Sequence, residues 1–318
     1  MRTKNNARVA GGSIALIPME EATAFLDFIL ERIGHAPDAI DQTGKIQRFS
    51  TNGKRGDLAG WCVWYGMAGA CGNWRTGESH TWRSDQYQRL TKTERQRIDR
   101  QIKQAEARRK RELEAGYQRI AEQAREDIQH YFPATQDHPY LTEKRIEPHD
   151  ALIDGQNVLI IPMHYNDQIV SYQRIFPMRL PDGTNKRFLK GGRKRGCYHP
   201  IGNKGTGDLG ICEGFATGAS IHEATGDDVI VAFDAGNLLP VARAMRDKYP
   251  DRKFIFWADD DRDRVDRNGN PENIGIIKAT EAAQAVNGHL AVPDFGPNRP
   301  EGATDFNDLY QMMKGGKQ

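Results

Sequence analysis

Two stretches, Gly210-Ile-Cys-Glu-Gly-Phe-Ala-Thr-Gly218 and Phe254-Ile-Phe-Trp-Ala-Asp-Asp-Asp261, decide the fold. Each contains an apolar run of strand length that turns acidic at its end. Working outward, the same rhythm continues: short apolar runs at 209–212, 229–233, 254–258 and 289–292 alternate with helical patterns at 216–224, 238–248 and 276–286. Gly226, Pro250 and Gly288 stand where those helices should stop. Strands separated by helices of this length predict a parallel sheet with right-handed crossovers, flanked by helices.

In an open parallel sheet the functional groups collect beyond the carboxyl ends of the strands. Here those positions are acidic: Glu213-Gly214, Asp234-Ala-Gly236 and Asp259-Asp-Asp261, with Asp305-Phe-Asn-Asp308 after the last strand. Extended backbone sends Asp259 and Asp261 to one side and Asp260 to the other. Two carboxylates about 4 Å apart repel by about 4 kcal/mol at an effective dielectric of about 20, so a cluster calls for a cation. An all-oxygen donor set without histidine favours Mg²⁺ or Mn²⁺ over zinc and points to phosphoryl or nucleotidyl transfer. Asp234 and Asp263 fit a turn former or helix cap equally well.

Upstream, residues 134–207 read as a smaller α/β half. It has a helix at 139–145, strands at 158–162 and 169–176, and turns at Asn166-Asp167 and Pro181-Asp-Gly183. It closes on Lys186-Arg-Phe-Leu-Lys-Gly-Gly-Arg-Lys-Arg-Gly196, the strongest local charge feature of the chain. Residues 87–133 read as a charged helical linker, whose Arg108-Arg-Lys-Arg111 run is taken as a solvated face. Residues 1–86 read as a small α+β accessory domain, with a helix over 19–33 and then glycine-spaced aromatics. Among these, Trp61, Trp64, Tyr65 and Trp74 form either a small core or stacking platforms.

At 318 residues the chain has room for more than one core. Its 45 Lys+Arg against 43 Asp+Glu leave no global nucleic-acid signal, so basic footprints must be local. A mean hydropathy of -0.72 with 38% hydrophobic residues is polar but compatible with folded domains. Cys62, Cys71, Cys197 and Cys212 lack C-x-x-C spacing, so buried thiols are expected and zinc is not. The opening MRTKNNARVAGGSIALIP has no apolar h-region and no run spans a bilayer, so a cytoplasmic protein without a membrane partner is expected.

The Glu-Gly strand end followed by a later Asp-x-Asp strand end resembles the topoisomerase-primase (TOPRIM) domain, over residues 208–318. Upstream, Pro139-Tyr-Leu-Thr-Glu-Lys-Arg-Ile146, Leu159-Ile-Ile-Pro-Met163, Tyr172-Gln-Arg174 and Lys186-Arg-Phe-Leu-Lys-Gly-Gly-Arg193 resemble the half that precedes it in bacterial-type primases. Cys212-Glu-Gly-Phe-Ala-Thr-Gly218 and Asp305-Phe-Asn-Asp-Leu309 are similar to phage and plasmid primases in particular. The resemblance implies a DNA primase that makes short primers on single-stranded DNA from nucleoside triphosphates with Mg²⁺ or Mn²⁺. Glu213 would position metal or act in proton transfer, and Asp259 and Asp261 would bind the metal. Asp308, with Asp305 close by, would complete the site less directly. Arg174, Lys186, Arg187, Lys190, Arg193 and Lys194 would hold template phosphates and the triphosphate, with Gly191 and Gly192 admitting close backbone approach. The chain departs from the family in lacking zinc ligands and in the long loop Arg262-Asp-Arg-Val-Asp-Arg-Asn-Gly-Asn-Pro271. No Walker motif occurs, so a replicative helicase is expected on a separate chain.

Two other readings share these residues. A stand-alone nuclease can use the same carboxylates and metal to cleave a phosphodiester. A non-catalytic module can hold single-stranded DNA or a replication partner through the aromatic region and the basic helix. A topoisomerase would require a gate domain carrying a nucleophilic tyrosine, for which there is no room.

Overall fold

The computed structural model describes residues 19–202, 204–265 and 272–315. They form two compact units, divided between Leu113 and Glu114.

In the first unit, helix α1 (Met19–Ile33) packs on one face of a four-stranded antiparallel sheet made of β1 (Gln47–Phe49), β2 (Gly60–Trp64), β3 (Ala68–Asn73) and β4 (Ser79–Arg83). The core joins Phe25, Ile29 and Ile33 of α1 to Phe49, Cys62, Trp64, Cys71 and Trp82. Period-two alternation puts Cys62 and Trp64 on that face and Trp61 on the other. Short α2 (Asp85–Arg89) leads to α3 (Lys92–Gln129), whose start is fixed by a capping box. Glu94 N–H donates to Thr91 Oγ1 (3.3 Å), and Thr91 N–H donates to Glu94 Oε2 (2.9 Å). Most of the segment expected to be a charged linker is thus one unbroken 38-residue helix. The boundary between the units falls inside it. Arg108 and Arg111 are exposed, as expected of a solvated face.

In the second unit, β5 (Phe132–Pro133), β6 (Leu152–Ile153), β7 (Leu159–Tyr165), β8 (Gln168–Ile175) and β9 (Lys186–Phe188) form an antiparallel sheet in sequence order. Helix α4 (Pro139–Lys144) lies between β5 and β6 in the chain. The last turns of α3 cover one sheet face, where Ala124 meets Val158, Ile160 and Tyr172. The opposite face contributes Leu159, Ile161 and Ile175 to the same core as Cys212, Phe215, Ala219 and Val231 further on. The segments 134–207 and 208–318 therefore share one core.

The second sheet has the order β10-β12-β11-β13-β14, with β10 (His199–Ile201), β11 (Leu209–Cys212), β12 (Asp228–Val231), β13 (Phe254–Trp257) and β14 (His289–Ala291). The last four are parallel, as expected, and β10 is an antiparallel edge. Helices α5 (Phe215–Thr225), α6 (Ala235–Lys248), α7 (Ile274–Ala285) and α8 (Phe306–Gly315) complete it. Leu238, Val241 and Met245 of α6 and Ala279, Ala282 and Ala283 of α7 pack with Ile211, Phe254 and Phe256. After β12 the chain returns across β11 to form β13, so the switch point lies between β11 and β13. Cys212 is level with Trp257, and so Glu213 and Asp259 leave the sheet at the same edge.

Candidate active site

Glu213 follows β11 directly. Gly214 is the N-cap of α5, with no side-chain cap, so the first turn of that helix presents bare N–H groups at this edge. A Cβ on Gly214 would sit 3.3 Å from Thr217 Oγ1. Asp259 follows β13, and the first turn of α7 comes so close that a Cβ on Gly275 would clash with Asp259 O and lie 3.2 Å from its Cβ. Glu213 Oε1 and Asp259 Oδ1 are both buried without a hydrogen-bond partner. Burial and then the charges of Asp261 and Asp234 push the Glu213 carboxyl up to about 7. Burial, then Glu213, Asp305 and Asp261, hold Asp259 well above the ordinary carboxylate range.

Asp260, the middle residue of the triplet, points away into a structural role. It is 2% exposed. Its carboxylate accepts from Arg262 Nε (2.8 Å), Arg299 Nη1 (2.7 Å) and Asn273 Nδ2 (2.6 Å), while Arg299 Nη2 donates to its carbonyl (2.7 Å). This hub holds the strand end against the C-terminal loop. Asp261 is left on the site side, 3.5 Å from Arg264 Nη1. Of the long loop beyond it, residues 266–271 lie outside the described residues.

Asp234 caps α6, accepting from Asn237 N–H (3.0 Å), and pairs with Lys194 Nζ (2.5 Å). It therefore serves as a helix cap, and its charge also bears on Glu213. Phe233 just before it has φ 73°, a strained value for a bulky residue. Asp305 and Asp308 form a capping box on α8: Asp308 N–H donates to Asp305 Oδ1 (3.0 Å) and Asp305 N–H to Asp308 Oδ2 (3.4 Å). Asp308 also accepts from Thr304 N–H (2.9 Å) and stands 3.8 Å from Lys144 Nζ, so it is occupied by the loop and α4. Asp305 is the member whose charge reaches Asp259. Burial, then Asp308, raises its own carboxyl.

The six basic candidates separate. Lys186 faces the carboxylates. Its ammonium lies 5.8 Å from the Tyr140 ring centroid, and Tyr140, against the opposing effect of burial and with Asp305 and Asp259, raises its pKa. Lys194 reaches Asp234 and lies 4.7 Å from the Phe188 ring centroid. Arg174 and Arg187 are register partners on β8 and β9; Arg187 pairs with Asp182 (2.5 Å), and Arg174 Nε is buried without a partner. Lys190 is exposed. Arg193 is held between the rings of Tyr117 (4.6 Å) and Tyr165 (4.3 Å) and pairs with Glu114, a packing role. Of the two glycines beside it, Gly191 has φ 80°, and a Cβ on Gly192 would clash with Ser171 Oγ.

Among the described residues no three carboxylate, imidazole or thiolate groups stand at the spacing of a ready-made metal site. The donor chemistry nonetheless fits a hard cation. Two buried carboxylate oxygens lack any partner, and the Glu213, Asp259 and Asp305 carboxyls are all raised, first by burial and then by neighbouring carboxylate charge. Magnesium keeps several waters and uses one or two carboxylates with substrate phosphates, so it does not need an all-protein cage. All four cysteines are free and buried, and burial pushes the Cys62 and Cys197 thiols up to about 12. No described helix is long and apolar enough to cross a membrane.

Residues 208–316 match the Toprim domain family, and the C-terminal part of the second unit is such a domain. The chain is 37% identical over 188 residues to a protein named DNA primase TraC from Escherichia coli, covering 57% of this chain and 17% of that one. A second protein of that name is 38% identical over 187 residues, covering 57% and 12%. The chain thus spans less than a fifth of these relatives. The primase fragment of the bacteriophage T7 primase-helicase protein aligns over 59% of this chain and 76% of its own, with 17% identity and a TM-score of 0.38.

Proposed function

From a Toprim domain and primase-named relatives, we propose that this chain is a DNA primase of the phage or plasmid type. It makes short primers on single-stranded DNA from nucleoside triphosphates by Mg²⁺- or Mn²⁺-dependent nucleotidyl transfer. The observation that carries the proposal is the pair of buried, unpartnered oxygens, Glu213 Oε1 and Asp259 Oδ1, at neighbouring strand ends across the switch point, with Lys186 facing them. Glu213, Asp259 and Asp261 would hold the ion, with Asp308 acting through Asp305, and a bound ion supplies charge neutralisation at the triphosphate and activation of the primer 3′-hydroxyl. Lys194, paired with Asp234, and Lys186, beside the Tyr140 ring, would take up triphosphate oxygens. Arg174, Arg187 and exposed Lys190 line the β8–β9 side toward the template phosphates. Arg193 supports this segment through Tyr117 and Tyr165 rather than by direct contact.

In this reading residues 134–207 and 208–318 together are the catalytic core, 87–133 the linker and 1–86 an accessory domain. The protein works in the cytoplasm on element replication, beside a replicative helicase. The test is primer synthesis on circular single-stranded DNA with labelled nucleotides and Mg²⁺. Short products that fall at least about 100-fold in both Asp259→Ala and Glu213→Ala are expected, consistent with loss of a metal-centred stabilisation of a few kcal/mol. Carboxylate-dependent nicking of the template without synthesis would instead establish a nuclease.

A further inference from the structure

The first unit carries a paired-indole surface that the catalytic reading does not use. Its sheet has one face under α1; on the other face one register row reads Arg48, Trp61, Gly72 and Ser79 across all four strands. Gly72 leaves the middle of that row flat. A Cβ there would lie 2.7 Å from the Trp61 indole, so only glycine lets the ring lie across the sheet. Trp74, just past β3 and held by its N–H to Ala59 O (2.8 Å), brings its ring to 5.7 Å from that of Trp61 at 37°. Arg48 places its guanidinium 5.7 Å from the Trp74 ring and donates from Nε to Leu58 O (2.7 Å), which fastens the β1–β2 loop beside the rings.

This arrangement is not a core. Trp74 is 57% and Leu58 55% exposed, whereas Trp64 on the opposite face is 2% exposed. Keeping a tryptophan this exposed beside a second indole forgoes apolar burial, and contiguous exposed apolar surface usually marks a binding site. The charge around it selects the ligand. Residues 40–83 hold six Lys/Arg against three Asp/Glu. Arg48, Lys54 and Arg55 have no salt bridge among the described residues, and the last two stand exposed on the β1–β2 loop. Flat aromatic faces between unpaired cations are what single-stranded nucleic acid needs, with bases stacking on rings and phosphates on arginines. A duplex hides its base faces and cannot use them.

We infer that the Trp61–Trp74 platform, with Arg48, is a binding site for single-stranded DNA that acts through base stacking. It stands independently of whether the carboxylate site makes primers. The experiment is fluorescence anisotropy of labelled dT20 with the full chain, together with ultraviolet cross-linking of 5-iodouracil-substituted dT20 and mapping of the linked peptide. Trp74→Ala should weaken dT20 binding roughly 5- to 150-fold, since each stacked base contributes about 1–3 kcal/mol. Trp74→Phe should keep most of it. Arg48→Gln should reduce the salt slope by about one. Cross-links should fall on the peptides holding Trp61 or Trp74, and binding of a 20-base-pair duplex should not depend on Trp74. Thermal unfolding of Trp74→Ala should match the parent, because the side chain lies on the surface. Asp259→Ala should bind dT20 normally, so failure of primer synthesis and failure of this site are told apart. Unchanged dT20 binding in folded Trp74→Ala and Arg48→Gln, with cross-links elsewhere, would overturn the inference and leave the surface to a protein partner.

Discussion

Glu213 shows how one residue links burial, charge and metal. Its ordinary pKa is 4.5 and its folded value is about 7, raised by burial and by Asp261 and Asp234. Between those values the folded state keeps a proton that the unfolded chain has lost. The associated stability is full below the ordinary value and is lost as pH rises through about 7; Asp259 and Asp305 shift in the same direction. Without divalent ions, Tm should therefore fall between about pH 5 and pH 8. Adding Mg²⁺ should restore it mainly at the upper end, where the carboxylates are charged. Glu213→Gln should flatten the slope and reduce the Mg²⁺ response. A Tm independent of both pH and Mg²⁺ would argue against cation binding here. The sequence already offered Glu213, Asp259 and Asp261; that Asp305 rather than Asp308 reaches Asp259 depends on which member of the capping box turns outward.

At the scale of elements, the meeting of α7 with the end of β13 sets where Asp259 points. Gly275 occupies the second position of α7, where alanine would ordinarily favour the helix by up to about 1 kcal/mol. Here its Cβ would clash with Asp259 O. Gly275→Ala is expected to cost about 1–3 kcal/mol in denaturant unfolding despite the better propensity, as overpacking does. It should also lower primer synthesis by more than the stability loss explains, because Asp259 must move. Gain of stability with normal activity would show that α7 yields instead. The helix and strand spans at this end were legible from periodicity to within a few residues. The contact of Gly275 with Asp259 was not, since the two are 16 positions apart and join only through packing.

For the molecule as a whole, each of the four buried clusters among the described residues lies within a single unit: one before Glu114 and three from Glu114 on. Each unit thus has what it needs to fold alone. Between them α3 runs through an exposed stretch that includes Arg108, Arg111 and Leu113, the last 53% exposed. Limited proteolysis should cut in this stretch and leave a C-terminal product starting near Glu114. That product should unfold cooperatively, retain the Asp259-dependent chemistry and lose the Trp74-dependent binding of dT20. A product that melts without a cooperative transition would show that the units depend on each other.

What the sequence determined by itself is what local pattern encodes. The alternation of apolar runs and helices fixed the parallel sheet, and the acidic residues past the runs fixed the carboxylate edge, because in such sheets chain direction dictates which strand ends share a side. Tertiary structure alone decided what depends on distant neighbours. Lys186 and Lys194 turn toward the carboxylates, whereas Arg193, in the same basic run, is enclosed by Tyr117 and Tyr165 from other elements. A charge run carries no information about which of its members meet solvent. The aromatic residues near the start divide in the same way: Trp64 enters the core and Trp61 joins Trp74 outside it, because adjacent positions on a strand face opposite sides and only the packing of α1 decides which side is covered.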